Sequence, residues 1–300
     1  MIQGESIVLS ASRRTDIPAF YMEWFMERIT AGFFEVTNPF NRHVSNVPAD
    51  PGRVHTIVFW SKNFGPFIRG RYGERLREMG YHLFFNFTVN SESPLIEPHV
   101  PPLGERLDQL EKLTDAFGPE SMQWRFDPIC FYLHEGRRRH NLKDFQRIAE
   151  RAGRAGLRRC VTSFMDHYPK IRRRIASLQG FSFVAPEMGE KVDLLHRMEK
   201  TLTPMGIHLS TCCEKDVMAQ LPSTAGVAAG ACIPSAHFVR CHGGRLSMQR
   251  DSGQRVSMGC QCRVSRDIGS YHRHPCFHRC LFCYANPASA DAERSETSHL

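Results

Sequence analysis

Near the C-terminus, Cys276-Phe277-His278-Arg279-Cys280-Leu281-Phe282-Cys283-Tyr284 places three thiols at a C-x3-C-x2-C spacing. Thiolates bind soft metals, and two centres suit this set. Three thiolates can hold three irons of a 4Fe–4S cube and leave the fourth iron to an outside ligand. A zinc knuckle would need a fourth protein ligand, which His272, His274 or His278 could supply. The x3-then-x2 spacing with Tyr-Ala-Asn behind it favours the cluster. A second set comprises Cys212, Cys232, Cys260 and Cys262, with Cys213 and Cys241 as spares. It could hold a second cluster or one tetrahedral zinc. An iron–sulfur centre is preferred, because the first site already requires cluster assembly. Cys130 and Cys160 fall in strand-like runs and read as inert core thiols.

Composition supports metal over disulfides. The 300 residues are 41% hydrophobic, enough for one large or two small domains. No apolar run approaches the ~20 residues of a bilayer span. The N-terminus MIQGESIVLS lacks the features of a signal peptide. The expected location is the cytoplasm, where 11 cysteines read as ligands or catalytic groups. The net charge of +8 owes much to Arg137-Arg138-Arg139 and Arg172-Arg173-Arg174. Such runs could serve nucleic acid or anionic small molecules. With no aromatics interleaved for base stacking, they read as solvated helix faces.

Strand-like and helical segments alternate along most of the chain. Strand-like runs are Ile7–Ser10, Thr56–Phe59, His82–Val89, Met122–Phe126, Cys160–Phe164 and Ile207–Ser210. Between them lie helical stripes over Pro18–Ala31, Phe67–Met79, Leu103–Phe117, Leu142–Ala152 and Met188–Leu202. This order predicts an α/β fold with a parallel sheet, closed as a partial or full (β/α) TIM-like barrel. The barrel would span residues 1–210. A Cys-rich segment, 211–286, would pack on its mouth, ordered by metal, and 287–300 would be a disordered tail.

Reactive groups in such barrels sit at the C-terminal strand ends. Here those ends carry Ser10-Ala11-Ser12-Arg13-Arg14-Thr15-Asp16, Trp60-Ser61-Lys62-Asn63, Arg125-Phe126-Asp127-Pro128, Ser163-Phe164-Met165-Asp166 and Thr211-Cys212-Cys213-Glu214. Singly, each could be a helix cap or turn; together they predict a polar mouth. Asp127, Asp166 and Glu214 are candidates for substrate binding or proton transfer.

At these residues the chain resembles the radical S-adenosylmethionine superfamily, in the Cys-Tyr-Ala style of its spore photoproduct lyase branch. It is also similar to an uncharacterised bacterial family defined only as a domain of unknown function. The resembling segments are Ser10–Pro18, Phe59–Asn63, Trp124–Ile129, Ser163–Lys170, Thr211–Glu214, Gly230–Ile233 and Cys260–Asn286. The resemblance implies a catalytic 4Fe–4S cluster on Cys276, Cys280 and Cys283, with S-adenosylmethionine at the mouth. It makes Cys212, Cys232, Cys260 and Cys262 ligands of an auxiliary cluster. The chain departs from the superfamily in carrying its cluster loop last rather than after the first strand, and in lacking a clear Gly-Gly-Glu. By chemistry, Arg13, Arg14 or Lys62, with Asn63 beside them, would take the carboxylate of S-adenosylmethionine. Asp16 or Asp127 would meet the ribose hydroxyls.

The expected activity is generation of a 5′-deoxyadenosyl radical that modifies a small polar metabolite, a nucleoside or sugar. Sulfur insertion is one use of an auxiliary cluster and electron transfer another. Flavodoxin or ferredoxin would donate the electron. The alternatives are repair or modification of nucleic acid, and a zinc-stabilised binding module without catalysis.

Overall fold

The structure is a computed structural model that describes residues 6–38 and 41–285; the expected tail lies outside them. In chain order, the strands begin with β1 (Ile7–Ala11), β2 (Phe33–Thr37), β3 (Val44–Pro48), β4 (Val54–Ser61) and β5 (His82–Thr88). They continue with β6 (Met122–Ile129), β7 (Phe131–His134), β8 (Arg137–His140), β9 (Arg159–Phe164) and β10 (Phe181–Val184). The last are β11 (His208–Thr211), β12 (Ala228–Ala229) and β13 (Arg266–Asp267). One parallel sheet runs β12-β11-β9-β6-β5-β4-β1-β13. Its six central strands are those the apolar runs predict. The sheet is open. Both edge strands have only two residues, because the Cys-rich segment that supplies them holds no apolar β-run, and a complete barrel does not form.

Side chains alternate across a strand, and here the alternation separates two cores. On the outer face Leu9, Ile57, Phe59, Phe85, Trp124 and Phe126 are buried in the main core. The helices that pack there include α2 (Met22–Ala31), α5 (Leu103–Phe117), α6 (Phe145–Arg154) and α8 (Met188–Leu202). Each such aromatic or Leu removed from water contributes roughly 1.5–3 kcal/mol. On the inner face Val8, Val58 and Phe84 form a second core with Cys232, Ile233, Phe238, Leu246, Cys260 and Cys262.

The helical stripes break where the backbone requires. The first becomes α1 (Ile17–Phe20) and α2, interrupted at Tyr21, and Gly32 ends α2 at φ +80°. The second becomes α3 (Gly65–Arg69) and α4 (Tyr72–Glu78), interrupted at Gly70 and Arg71. One arginine run is on a strand rather than a helix. Glu135 and Gly136 take left-handed conformations, φ +52° and +73°, which suits a two-residue hairpin joining β7 to β8. Arg137–Arg139 therefore lie exposed on the edge of a small antiparallel sheet, β10-β7-β8. The other run lies on α7 (Pro169–Ile175).

The Cys-rich segment contains α9 (Lys215–Met218) and α10 (Ser235–His242) and passes along the sheet from end to end. Through His237 and His242, α10 meets Glu120, Arg159 and His82, at the N-terminal ends of β6, β9 and β5. Residues 231–233 fill the inner face. There Asn86 donates to the Cys232 carbonyl (3.0 Å), and Gln123 donates to Asn86 (2.8 Å) and the Ala231 carbonyl (3.3 Å). These buried amides thereby have partners, as burial demands. No helix among the described residues is long and apolar enough to cross a membrane.

Candidate metal centre

The Cys276–Tyr284 loop is anchored on every side near the C-terminal strand ends. The Tyr21 hydroxyl donates to the Pro275 carbonyl (2.6 Å), and Phe277 packs edge-on against Phe20. His278 bridges the Asp16 carboxylate (2.8 Å) and the His99 carbonyl (3.2 Å). Leu281 donates to the Ile96 carbonyl (2.9 Å). Arg174 Nη1 reaches three backbone carbonyls, of Cys280 (3.4 Å), Leu281 (2.8 Å) and Cys283 (2.9 Å). Lys170 donates to the Tyr284 carbonyl (3.2 Å), and the Tyr284 hydroxyl donates to the Arg13 carbonyl (2.9 Å). One member of the arginine run that reads as solvated thus holds the loop in place.

Beneath the loop lies a buried ion pair. Lys62 Nζ is 2.5 Å from Glu97 Oε1, with side-chain exposures of 15% and 2%. Burial alone would lower the ammonium, but Glu97 and the nearby Cys280 outweigh it. Asn90 also donates to Glu97 (3.3 Å). Burial pushes the Cys280 thiol far up, and burial followed by Asp16 raises Cys276. Lys62 thus places positive charge beside the Cys280 sulfur.

Deeper on the inner face, Cys212, Cys213, Cys232, Cys260 and Cys262 converge. Cys212 and Cys213 sulfurs are 3.7 Å apart, with Cys213 at φ +62°. Contacts with Cys232 and Cys260, aided by Arg13, hold Cys262 far below the usual thiol range. Cys232 is pushed up, first by Cys212 and then by Cys262. Cys260 is lowered by Cys212 but raised further by Cys213 and Cys262. Arg125 donates to the Cys232 sulfur, and the Cys232 N–H donates to the Cys262 sulfur (3.2 Å). The Arg13 and Arg125 guanidiniums lie 5.2 and 5.4 Å from the Trp60 ring. Cys212, Cys232, Cys260 and Cys262 thus lie together, joined by the spare Cys213.

Spacing bears on the metal. A tetrahedral zinc with Zn–S near 2.3 Å sets its sulfurs about 3.8 Å apart. Among the described residues one trio of ligand atoms lies mutually within 4.8 Å, and it is Glu120, His237 and Cys241. Neither cysteine set contains so close a trio. The spare Cys241 stands apart from the others, in a group where Arg159 and Arg240 already pair with Glu120.

The remaining predicted residues have varied settings. Arg13 donates to Ser265 (3.1 Å) and Arg14 to the Gly269 carbonyl (3.0 Å). Asp16 accepts from Ala19 N (3.0 Å), Lys62 N (2.9 Å) and His278, so its carboxylate is fully engaged. Asn63 accepts from Gly65 N (2.9 Å) and Gln109 (3.0 Å), a turn role. Asp127 is bound by Arg125 and Ser163, which together hold it below the usual carboxylate range despite burial. Asp166 pairs with Arg255 (2.7 Å) at the exposed rim. Glu214 accepts from Phe164 N (2.8 Å), and burial pushes its carboxyl up to about 7.

Sequence reasoning misses Glu97, Arg174 and Asp267. Asp267 accepts from Ser10 (3.0 Å), Ser12 (2.7 Å) and Arg13 N (2.7 Å), anchoring the end of β1. Gly269 follows because a Cβ there would lie 2.0 Å from Ser12 Oγ. Arg125 carried a signal, a cation inside the apolar run Met122–Phe126. Glu97 carried none, since its partner is 35 residues away in sequence.

No curated protein matches the chain. A family model described as a domain of unknown function, DUF1848, matches residues 8–285, from β1 through the last cysteine loop. The chain belongs to this family.

Proposed function

We propose that this protein is a radical S-adenosylmethionine enzyme with a catalytic and an auxiliary 4Fe–4S cluster, acting on a small polar metabolite. The observation that carries the reading is the pairing of two thiol sets. Three thiols share one clamped loop at the C-terminal strand ends, and a second group lies below them on the inner face. The donor set fits the proposed groups. Within the loop, His278 is already committed to Asp16 and His99.

Cys276, Cys280 and Cys283 would hold the catalytic cluster; Cys212, Cys232, Cys260 and Cys262 would hold the auxiliary one. When bound, the catalytic cluster supplies an electron that breaks a carbon–sulfur bond of S-adenosylmethionine, yielding a radical able to take hydrogen from substrate. The chain's own residues set the conditions. Lys62 places positive charge beside Cys280, and Glu97 fixes the ammonium. Arg174 holds the loop backbone. Arg125 and Ser163 orient Asp127, a carboxylate that stays ionised and can accept substrate hydroxyls. Glu214 can hold or release a proton near neutrality.

The test is anaerobic reconstitution, followed by incubation with S-adenosylmethionine and a reductant. 5′-Deoxyadenosine is expected. Reconstituted, iron-loaded protein that forms none refutes the reading, as does folded protein saturated with zinc and free of iron. A nucleic-acid substrate is the second reading, favoured by the exposed Arg137–Arg139 edge. It requires affinity for DNA or RNA that falls steeply with salt.

A further inference from the structure

Two adjoining cavities lie beside the cysteine loop, between α2, β2 and residues 268–274. The first, about 160 Å³, is lined by Trp24, Arg28, Glu35, Thr37, Arg273 and His274 among others. The second, about 130 Å³, shares Thr37, Ser270 and Arg273 with the first and adds Arg14, Arg42 and Tyr271.

Two residues that line the first cavity carry polar atoms without a partner in the protein. His274 is buried, 8% exposed, with its ring 4.0 Å from Trp24. Its Nδ1 has no hydrogen-bond partner, and Arg28 Nε is also buried without one. Leaving such groups unpaired costs about 1–3 kcal/mol each, and both belong to residues that line one cavity. The charge gives the sign of a ligand. Arg14, Arg28, Arg42 and Arg273 line the pair of cavities against the single carboxylate of Glu35, itself 3.6 Å from Arg273. Guanidinium forks match phosphate oxygens in geometry and charge, and the Thr37 and Ser270 hydroxyls can add donors. The volumes fall below the roughly 300–1,000 Å³ of pockets for drug-sized ligands, which favours a small molecule over a polymer.

We propose that these cavities bind a small phosphate ester, its phosphate held by Arg28, Arg273 and His274 and its organic part directed toward Arg14 and Tyr271. Arg14 follows the end of β1, and His274, on the wall of the first cavity, lies two residues before Cys276. The cavities therefore border the cysteine loop. The inference stands on the cavities and does not require iron.

Calorimetric titration of the purified 300-residue chain at physiological salt tests it, with inorganic phosphate, adenosine 5′-monophosphate and a short single-stranded DNA as probes. Saturable binding of the monophosphate is expected, weakened about tenfold or more for each arginine in Arg28→Gln and Arg273→Gln. Glu35→Gln, which removes the carboxylate paired with Arg273, should tighten it. That variant keeps the test decisive should either arginine variant fail to fold. Absence of saturable binding by phosphate and monophosphate overturns the proposal, as does monophosphate binding that Glu35→Gln leaves unchanged or weakens. DNA binding tighter than the monophosphate, with a steep salt dependence, also overturns it and assigns the groove to nucleic acid. Because the readout is binding heat, failure here is distinct from failure to form 5′-deoxyadenosine.

Discussion

Individual residues divide between the thiols proposed to hold metal and the groups that position them. Replacing Cys280 with Ala removes a sulfur of the clamped loop and should abolish 5′-deoxyadenosine. Replacing Cys260 with Ala should reduce bound iron by about half, as expected for one of two equal clusters, and spare some cleavage. Iron assay and electron paramagnetic resonance read both; unchanged iron in both variants refutes the ligand assignment. The Lys62–Glu97 pair makes a separate prediction about stability. Lys62→Met removes the ammonium bonded to Glu97 and leaves that carboxylate only the buried Arg106 nearby, and breaking a buried pair this way costs up to about 3–5 kcal/mol. The double variant Lys62→Met/Glu97→Leu should recover most of that in urea unfolding. Equal loss in single and double variants would show that the pair's charges are not the issue.

Among elements, α7 and α10 have roles that their sequences disguise. The cysteine loop is irregular, and its backbone carbonyls need donors; α7 supplies them through Arg174. Arg174→Met should leave the overall melting temperature nearly unchanged while making the loop cleavable by trypsin at Arg279. Protection equal to wild type would rule out the clamp. At the other end of the sheet, His242 on α10 stacks on His82 with centroids 4.1 Å apart. Burial, then His82 and His55, lowers His242 to about 4. The folded state thus resists a proton that the unfolded chain accepts below about 6.5. Stability is unaffected above that value and falls as pH drops from about 6.5 toward 4. Because His242 remains exposed at the surface, the effect is modest. His242→Asn should flatten that limb of the stability–pH curve.

At the scale of the whole molecule, the Cys-rich segment is continuous with the sheet. Ile233, Phe238 and Leu246 complete the inner core with Val8, Val58 and Phe84, and β13 pairs with β1. A fragment ending at residue 210 should expose that inner face and aggregate, and the intact chain should unfold in one calorimetric transition. Two separable transitions would show that the segment is an independent unit. The outer core was legible in sequence because helix and strand periods are local, so Leu9, Phe59, Trp124 and the α5 stripe announce their own burial. The two groups of thiols were visible in sequence because a thiol is read directly from residue type. Which groups accompany the sulfurs was not legible. Lys62 with Glu97, Arg125 with Cys232, and Arg174 with the loop carbonyls join residues far apart along the chain. Local pattern and residue type were enough for the alternating elements, the parallel sheet and the thiols. The open sheet, the path of the Cys-rich segment along its inner face, and the gathering of arginines around two cavities emerge from the folded chain. Periodicity and residue type act over a few residues, whereas burial, charge pairing and hydrogen-bond satisfaction depend on distances that the folded chain alone sets.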